Sequence, residues 1–283
     1  MGGRVVMAEA DHYEVCYTIN PWMRPEMWSQ DLRRLAAGQW RQLAERLEAA
    51  GLTVERVPAV PGLPDLVFPA NAAVVLDGRA LLARFRHPER RGEEAHFRRF
   101  FDGLRDRALL AEVRLLPEEV FQEGAGDCLW DATRGLFWAA WGPRSTFAAT
   151  AELAAFFEQA VVPLELVTAR YYHLDTCFLP LSGGEVVYYP PAFSGAARAA
   201  IAERVPADML VAASDDEAAA FSLNAVNIGR DLVMTAPPAR LRAILEERGY
   251  RVHPVDLSAF VLSGGAAFCM TLRLDLTSGV LLP

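Results

Sequence analysis

The chain has 283 residues, of which 52% are hydrophobic, enough for a sizeable buried core. Asp and Glu (36) outnumber Lys and Arg (28), which gives a net charge of −8. The sequence has no block or stripe of basic residues that would bind a phosphate backbone, so nucleic acid is not an expected partner. No apolar run reaches the roughly 20 residues needed to cross a bilayer, and no signal-peptide pattern is present. We therefore expect no membrane partner and a cytoplasmic location.

Cysteine usage supports a reducing compartment. The four cysteines are Cys16, Cys128, Cys177 and Cys269. They form no C-x-x-C pair and are too sparse for a disulfide framework. We interpret them as reduced thiols, of which one at most has a special role.

The first predicted elements are a strand and a long helix. Residues 13–19 have the composition of a strand. Across residues 25–51, apolar side chains recur at helical spacing and a glycine ends the segment. This pattern predicts an amphipathic helix.

A pair of apolar strands joined by a tight turn then recurs along the chain. The first hairpin covers residues 72–84 and turns at Asp77-Gly78. Later turns lie at Arg134-Gly135, Gly183-Gly184 and Gly229-Arg230, with a weaker fifth candidate at Thr277-Ser278-Gly279. Asp-Gly and Gly-Gly between β-prone runs are strong hairpin signals, because they tolerate the positive φ angles of primed turns.

Each of the first four hairpins is followed by a helical pattern, predicted at residues 89–104, 146–160, 195–204 and 237–248. Short strands are predicted afterwards at 112–115, 164–168, 209–212 and 251–255. The resulting ββαβ unit recurs roughly every 50 residues, which indicates an internal repeat. A solenoid would need polar terminal repeats, whereas these terminal strands are apolar. We therefore predict a single α/β domain over residues 1–283, built as a closed ring with the helices outside.

Polar residues stand at the start of each leading strand. They are Asn71, Asp127, His173 with Asp175, Asn224 with Asn227, and Cys269. In a ring of five units these side chains would meet at the centre. A thiol, an imidazole and carboxylates brought together in this way are typical of a catalytic site.

The segment 171–177 alternates in the manner of a strand, which would place His173, Asp175 and Cys177 on one face. Three interpretations remain open. His173 could be a buried histidine satisfied by a neighbour, a metal ligand, or a general acid/base with Asp175 as a substrate anchor. No H-E-x-x-H or paired C-x-x-C motif accompanies it, which disfavours the metal.

Cys269 is the candidate nucleophile, because small residues from Ser263 to Ala267 precede it and would let a substrate approach the sulfur. A buried structural cysteine is the alternative. Arg90 and Arg144 occupy equivalent positions in successive repeats and could clamp one carboxylate. The glycine-rich segment 123–127 is not a phosphate loop, because no Gly-Lys-Ser/Thr follows it.

Together these motifs resemble the guanidino-group-modifying superfamily, which includes dimethylarginine dimethylaminohydrolases, arginine deiminases, arginine dihydrolases and amidinotransferases. The resemblance implies a five-bladed α/β propeller, a pseudo-fivefold ring of ββαβ units. It also implies a catalytic set of Cys269 as nucleophile, His173 as general acid/base and Glu123 as the acid that orients it. Asp65 and Asp175 would bind the guanidinium, and Arg90 and Arg144 the substrate carboxylate.

One position departs from the deiminase and dimethylarginine hydrolase pattern: Asn71 stands where those families carry an acid. With Asn20 in the segment Ile19-Asn20-Pro21, this resembles the arginine dihydrolases. An amide can both donate to and accept from a neutral ureido group, so Asn71 would retain citrulline for a second attack.

The expected function is therefore cofactor-free and metal-free hydrolysis of arginine or a methylated arginine through an S-amidino intermediate, giving ornithine, ammonia and carbon dioxide. Alternatives are a dimethylarginine hydrolase or deiminase giving citrulline, an amidinotransferase, and a non-catalytic guanidine-binding protein. The expected partner is a small-molecule substrate, and a homo-oligomer is left open.

Overall fold

The computed structural model describes residues 3–279, which contain fifteen strands and seven α-helices. The strands are β1 (Arg4–Ala8), β2 (Thr53–Val57), β3 (Ala73–Leu76), β4 (Arg79–Leu82), β5 (Glu112–Leu115), β6 (Cys128–Asp131), β7 (Leu136–Trp141), β8 (Ala160–Glu165), β9 (Phe178–Pro180), β10 (Val186–Tyr188), β11 (Leu210–Ala212), β12 (Val226–Ile228), β13 (Asp231–Met234), β14 (Arg251–Pro254) and β15 (Leu272–Arg273). The helices are α1 (Gln30–Ala49), α2 (Pro88–Asp106), α3 (Ala149–Phe157), α4 (Gly195–Arg204), α5 (Asp215–Ala219), α6 (Ala239–Glu247) and α7 (Ser258–Val261).

The described strands form five sheets of three strands each. In every sheet an antiparallel pair is followed by a third strand that runs parallel to the middle one. A helix connects the middle strand to the third, as a parallel connection requires. The ring of ββαβ units predicted from the repeat, and the five-bladed α/β propeller implied by the resemblance, are confirmed. Helices α5 and α7 are additional short connections between units.

The fifth unit is assembled from both ends of the chain. Strand β15 pairs antiparallel with β1, which places Val5 opposite Arg273, and β1 pairs parallel with β2 across α1. Among the described residues, the partner of β15 is therefore the N-terminal strand, and not a strand after the turn predicted at 277–279. The second strand of that predicted hairpin would fall on 280–283, outside the described residues.

The hairpin turns and helix ends follow the local sequence. Asp77 and Gly78 both have positive φ, 52° and 70°, as a two-residue primed turn requires. At the start of α1, the Ser29 side chain accepts a hydrogen bond from the Leu32 N–H. Gly51, at φ 88°, follows the end of the same helix. Residues that tolerate a left-handed backbone conformation thus lie at this hairpin turn and after this helix end.

Each helix buries one face against the sheets. Leu43 and Leu47 of α1 and Phe97 and Phe101 of α2 are all at most 1% exposed. Burial of one such side chain contributes about 1.5–3 kcal/mol. Among the described residues no helix is both long and apolar enough to cross a membrane.

Two strand predictions are wrong. Residues 13–19 form no strand, and the ring of Tyr13 instead packs on Phe260 with centroids 4.7 Å apart. Residues 171–177 contain a 3-10 turn at Leu174–Thr176, and the Leu174 N–H donates to the Asp127 carboxylate. The side chain thus takes the place of a strand partner for this backbone group.

Candidate active site

The starts of the five leading strands meet in the interior, as the repeat predicted. Asn71, Asp127, His173, Asn224 and Cys269 immediately precede β3, β6, β9, β12 and β15 or the short turns before them, and each is at most 3% exposed. Asn227 lies elsewhere. It is inside β12, and its amide donates to the Gly229 carbonyl at the turn end of the ring.

The Cys269 thiol is enclosed by two polar side chains. Its Sγ donates to Asp175 Oδ2 at 3.0 Å, and Asn224 Nδ2 donates to Sγ at 3.0 Å. The Asn224 oxygen also accepts the Cys269 backbone N–H at 3.2 Å. Asn224 therefore fixes the positions of both the backbone N–H and the sulfur of Cys269.

Burial holds this thiol in its neutral form. Loss of hydration, followed by the neighbouring Asp175 carboxylate, raises the pKa of Cys269 well above its usual value. Burial also raises the pKa of Asp175 to about 7, although its hydrogen bonds to Cys269 and Asn224 oppose the change. In the resting site, Cys269 and Asp175 therefore hold a proton. A bound cation would displace it, because a positive charge favours the thiolate and the carboxylate.

Glu123 connects His173 to Arg144. Its Oε2 lies 2.7 Å from His173 Nε2 and accepts from Arg144 Nη1 at 2.9 Å. Burial works to raise the pKa of Glu123, but Arg144 and the hydrogen bond and charge of His173 together lower it. Because an ionised carboxylate only accepts hydrogen bonds, His173 Nε2 carries the proton of this contact.

A second carboxylate ties the segments that carry Glu123 and His173. Asp127 Oδ2 accepts from Ser145 Oγ at 2.6 Å, and Ser145 Oγ accepts from the Glu123 backbone N–H at 3.1 Å. Asp127 Oδ1 accepts the N–H of Leu174, next to His173, at 3.1 Å. This network fixes the separation of the acid and the imidazole.

Arg90 occupies the other side of the site. It forms a bidentate ion pair with buried Glu93 and donates from Nη1 to Asn71 Oδ1 at 2.8 Å. The amide nitrogen of Asn71 donates to the Glu123 carbonyl at 3.2 Å. The orientation of the Asn71 amide is therefore set by a donor on one side and an acceptor on the other.

Asp65 is buried with one oxygen uncommitted. Its Oδ2 accepts from Tyr17 at 2.9 Å, whereas Oδ1 has no partner among the described residues. Burial raises the pKa of Asp65, opposed mainly by the Arg90 charge. Such an oxygen is available to a cationic ligand.

Asn20 and the glycine loop form the remaining wall. Asn20 Nδ2 donates to the Ser263 carbonyl at 2.9 Å. Gly264 has φ 79°, and a Cβ at Gly265 would lie 2.5 Å from the Phe68 ring. Small residues are thus required for close packing beside Cys269.

These side chains surround one small cavity, of about 10 Å³, which is the volume of about one water. Six of the residues predicted for the site line it directly: Asn20, Asp65, Asn71, Arg90, Arg144 and Cys269. Asp175, Glu123 and His173 adjoin it through the contacts described above. A substrate the size of an amino acid requires the walls to move.

Sequence reasoning did not select several residues that complete the site. Asn224, at the start of a leading strand, carried a usable signal but received no role beside Cys269. Glu93, Tyr17 and Tyr172 gave no motif; Tyr172 places its ring 4.5 Å from the Arg144 guanidinium. Residues 3–279 contain no group of three or more His, Cys, Asp or Glu suited to hold a metal.

Relatives of the chain carry related activities in their names. Bifunctional arginine dihydrolase/ornithine cyclodeaminase ArgZ of Synechocystis is 39% identical over 272 residues, 95% of this chain. The chain spans 37% of the length of that relative. N(G),N(G)-dimethylarginine dimethylaminohydrolase of Mycobacterium tuberculosis is 34% identical over 96% of this chain and 85% of its own length.

Solved structures agree with the fold. A variant N-terminal domain of ArgZ, a cyanobacterial arginine dihydrolase, bound to substrate, has a TM-score of 0.92 at 37% identity, covering 98% of this chain and 100% of that one. A dimethylarginine dimethylaminohydrolase adduct has a TM-score of 0.75 at 18% identity, over 96% and 100% of the two chains, and supports the fold alone.

A family model described as N,N dimethylarginine dimethylhydrolase, eukaryotic, matches residues 18–276. This match covers most of the chain and includes every residue that lines the cavity at Cys269. The chain therefore belongs to the dimethylarginine dimethylaminohydrolase family of the guanidino-group-modifying superfamily.

Proposed function

We propose that this chain is a cofactor-free arginine dihydrolase, which converts arginine and two waters into ornithine, two ammonia and carbon dioxide. The observation that carries the proposal is a buried thiol bound to Asp175 in a site that also contains a His173–Glu123 pair and the Asn71 amide. Solved relatives support it: the ArgZ N-terminal domain is described with substrate, with product and with a covalent intermediate, and an AgrE variant with L-arginine.

The first half-reaction is attack by sulfur. The guanidinium takes up the uncommitted oxygen of Asp65 and the carboxylate of Asp175, and its charge favours the Cys269 thiolate. The sulfur adds to the guanidino carbon and one C–N bond breaks. His173, held by Glu123, takes up the proton lost by the thiol and gives it to the nitrogen, which leaves as ammonia. An S-amidino adduct remains on Cys269.

Water completes the first cycle. His173 accepts a proton from the attacking water, whose oxygen bonds to the amidino carbon, and the C–S bond breaks. The products are citrulline and the regenerated thiolate. The buried and oriented imidazole is suited to both steps because it gives a proton in the first and takes one in the second.

Asn71 allows the second cycle. Its amide holds the neutral ureido group, with Asn20 nearby, where a carboxylate would favour a cation. Cys269 attacks the ureido carbon, ammonia leaves, and water releases a carbamate that decomposes to ornithine and carbon dioxide. The net change consumes two waters for each arginine.

Arg144 and Arg90 are the proposed anchors of the α-carboxylate. Of the five N–H groups of a guanidinium, Arg90 uses four in its contacts with Glu93, Asn71 and the Asp65 carbonyl. Arg144 uses two, toward Glu123 and the Ile19 carbonyl. The inventory assigns the larger share of carboxylate binding to Arg144.

A second candidate, dimethylarginine hydrolysis to citrulline and dimethylamine, is favoured by the family match and by the Mycobacterium relative. The same thiol and histidine would serve it. Asn71 distinguishes the two, because retention of citrulline is useful only in a dihydrolase.

The test is to identify products by mass spectrometry after incubation with arginine, dimethylarginine and citrulline. Ornithine with two ammonia per arginine supports the proposal, and citrulline should be consumed. Preferential release of dimethylamine from dimethylarginine would support the second candidate instead.

We also propose that residues 1–283 act as one domain and that the protein works in the cytoplasm, where its cysteines stay reduced. The ring closure by β1 and β15 supports the first statement, since neither end can be removed without opening the fifth sheet.

A further inference from the structure

A second and much larger cavity lies along the axis of the ring, with a volume of about 490 Å³. Every leading strand contributes to its wall: Val75 of β3, Leu129 of β6, Leu179 of β9, Val226 of β12 and Leu272 of β15. The cavity therefore runs along the inner face of the ring.

The mouth of this axial cavity lies at the hairpin turns. Thr133, Ser182 and Gly229 line it, and they belong to the turns that follow β6, β9 and β12. The starts of the same strands are at the catalytic cavity. The axial cavity thus extends from the opposite face of the ring toward the buried site.

Asp175 lies between the two cavities, because it lines the axial cavity and contacts Cys269, which lines the catalytic one. Of the two side chains bound to the Cys269 thiol, Asp175 lines the axial cavity and Asn224 does not. Asp175 Oδ2 contacts Sγ, whereas Oδ1 is buried and has no partner among the described residues. The Asp175 carboxylate thus contacts the Cys269 thiol and also forms part of the wall of the axial cavity.

Polar atoms lie along the axial cavity. Trp130, another lining residue, has a buried Nε1 donor without a partner in the described part of the chain. Trp130 Nε1 and Asp175 Oδ1 are both out of reach of water in this structure, so a small movement of the cavity wall would be needed to hydrate them. Thr271, next to the strand that follows Cys269, lines the same cavity, and its hydroxyl bonds to the Ala267 and Phe268 carbonyls.

We propose that the axial cavity is the route by which ammonia leaves and water reaches the Cys269 adduct while the amino-acid substrate fills the catalytic cavity. The proposal rests on the proposed function, since two waters must enter and two ammonia must leave while the ornithine part of the substrate stays bound. The catalytic cavity has about 10 Å³ of free space, so a bound amino acid occupies it fully, and the axial cavity offers a path that does not pass the substrate. The axial route meets the adduct from the side of Asp175.

The test is to plug the axial cavity at a distance from Cys269. Leu129→Trp fills its wall and the double variant Thr133→Trp/Ser182→Trp fills its mouth. Thr53→Trp is the matched control, because Thr53 is exposed on β2 and does not line the cavity. Rapid quenching with intact-protein mass spectrometry measures the fraction of enzyme that carries the adduct, and a coupled assay measures the first ammonia released.

With arginine, the plugged variants should form the adduct within about twofold of the unsubstituted rate, whereas release of the first ammonia should slow roughly tenfold or more because its exit is blocked. Their kcat should fall roughly tenfold or more, and the adduct should become the main species. Normal kcat and adduct occupancy in folded Leu129→Trp overturn the route. If that variant does not fold, the same result in the mouth variant overturns it. No ammonia release by the unsubstituted protein would instead overturn the proposed function, and the route with it.

Discussion

Both carboxylate oxygens of Glu93 hold the guanidinium of Arg90, with Nε 2.9 Å from Oε1 and Nη2 2.8 Å from Oε2. This fork leaves Nη1 in a fixed position, from which it donates to Asn71 at 2.8 Å. The anchor and the amide proposed to retain the ureido group therefore form one rigid unit.

Replacement of this fork by a point charge should weaken substrate binding. Arg90→Lys cannot reach Glu93 and Asn71 together, so KM for arginine should rise roughly tenfold or more. Arg144→Lys should have a similar or larger effect. Steady-state kinetics measure both, with exposed Arg98→Lys as the control. If agmatine, which has no α-carboxylate, reacts as well as arginine in the unsubstituted protein, the carboxylate assignment is wrong.

Loss of the nucleophile should abolish turnover and preserve the fold. Cys269→Ser should lower kcat roughly 1,000-fold or more, because a serine hydroxyl at this position has no strong base to ionise it. Thermal melting should be close to that of the unsubstituted protein. Cys16→Ser, at an exposed thiol, should leave activity unchanged. Retention of most activity in Cys269→Ser would exclude the covalent mechanism.

A charge at position 71 should change the product. Asn71→Asp keeps an acceptor for Arg90 but turns its second oxygen toward the Glu123 carbonyl, which Asn71 now donates to at 3.2 Å. It should bind the ureido group less well and release citrulline, so ammonia per arginine should fall from two toward one. Gln42→Glu, at an exposed position of α1, is the control and should keep a ratio of two. A ratio of one in the unsubstituted protein would identify a deiminase.

Burial of the ionised Asp175 carboxylate should lower the free energy of unfolding at alkaline pH. Desolvation raises its pKa to about 7, above its unfolded value, so the folded state binds the proton more tightly. Its contribution to stability is therefore full at low pH and is lost as the pH rises through about 7.

Asp175→Asn removes this loss because the amide stays neutral. The Tm of the variant should match the unsubstituted protein near pH 4 and exceed it at pH 8 by about 5 °C. Calorimetry at the two pH values measures the difference, and exposed Asp11→Asn should show none. An equal or lower Tm at pH 8 would show that the Asp175 carboxylate is stabilised in the resting site.

Local signals in the sequence were sufficient for four of the five units. Glycine turns and period-two strands are short-range features, so Asp77-Gly78 and its counterparts could be located without tertiary information. The pairing of β15 with β1 could not, since residues far apart in sequence leave no local pattern. Alternating side chains at residues 171–177 predicted a strand. In the structure the Leu174 N–H is instead bound by the Asp127 side chain, and not by a neighbouring strand.

The predicted catalytic and substrate-binding residues could be identified from sequence motifs, and the structure brings them to one cavity. Their supporting residues could not be chosen. Glu93 is one of many acids on a helix, and only the fold shows that it is buried against Arg90. Asn224 acts through two hydrogen bonds to a residue 45 positions away.

The pairing of β1 with β15 also determines the order of assembly during synthesis. The middle strand of the fifth sheet precedes the other four units along the chain, and its antiparallel partner follows them. Such long-range pairing is slow to form. On the ribosome, one edge of β1 stays without a partner until the segment that carries Cys269 has emerged. The pairing that closes the ring therefore also brings Cys269 to Asp175 and Asn224.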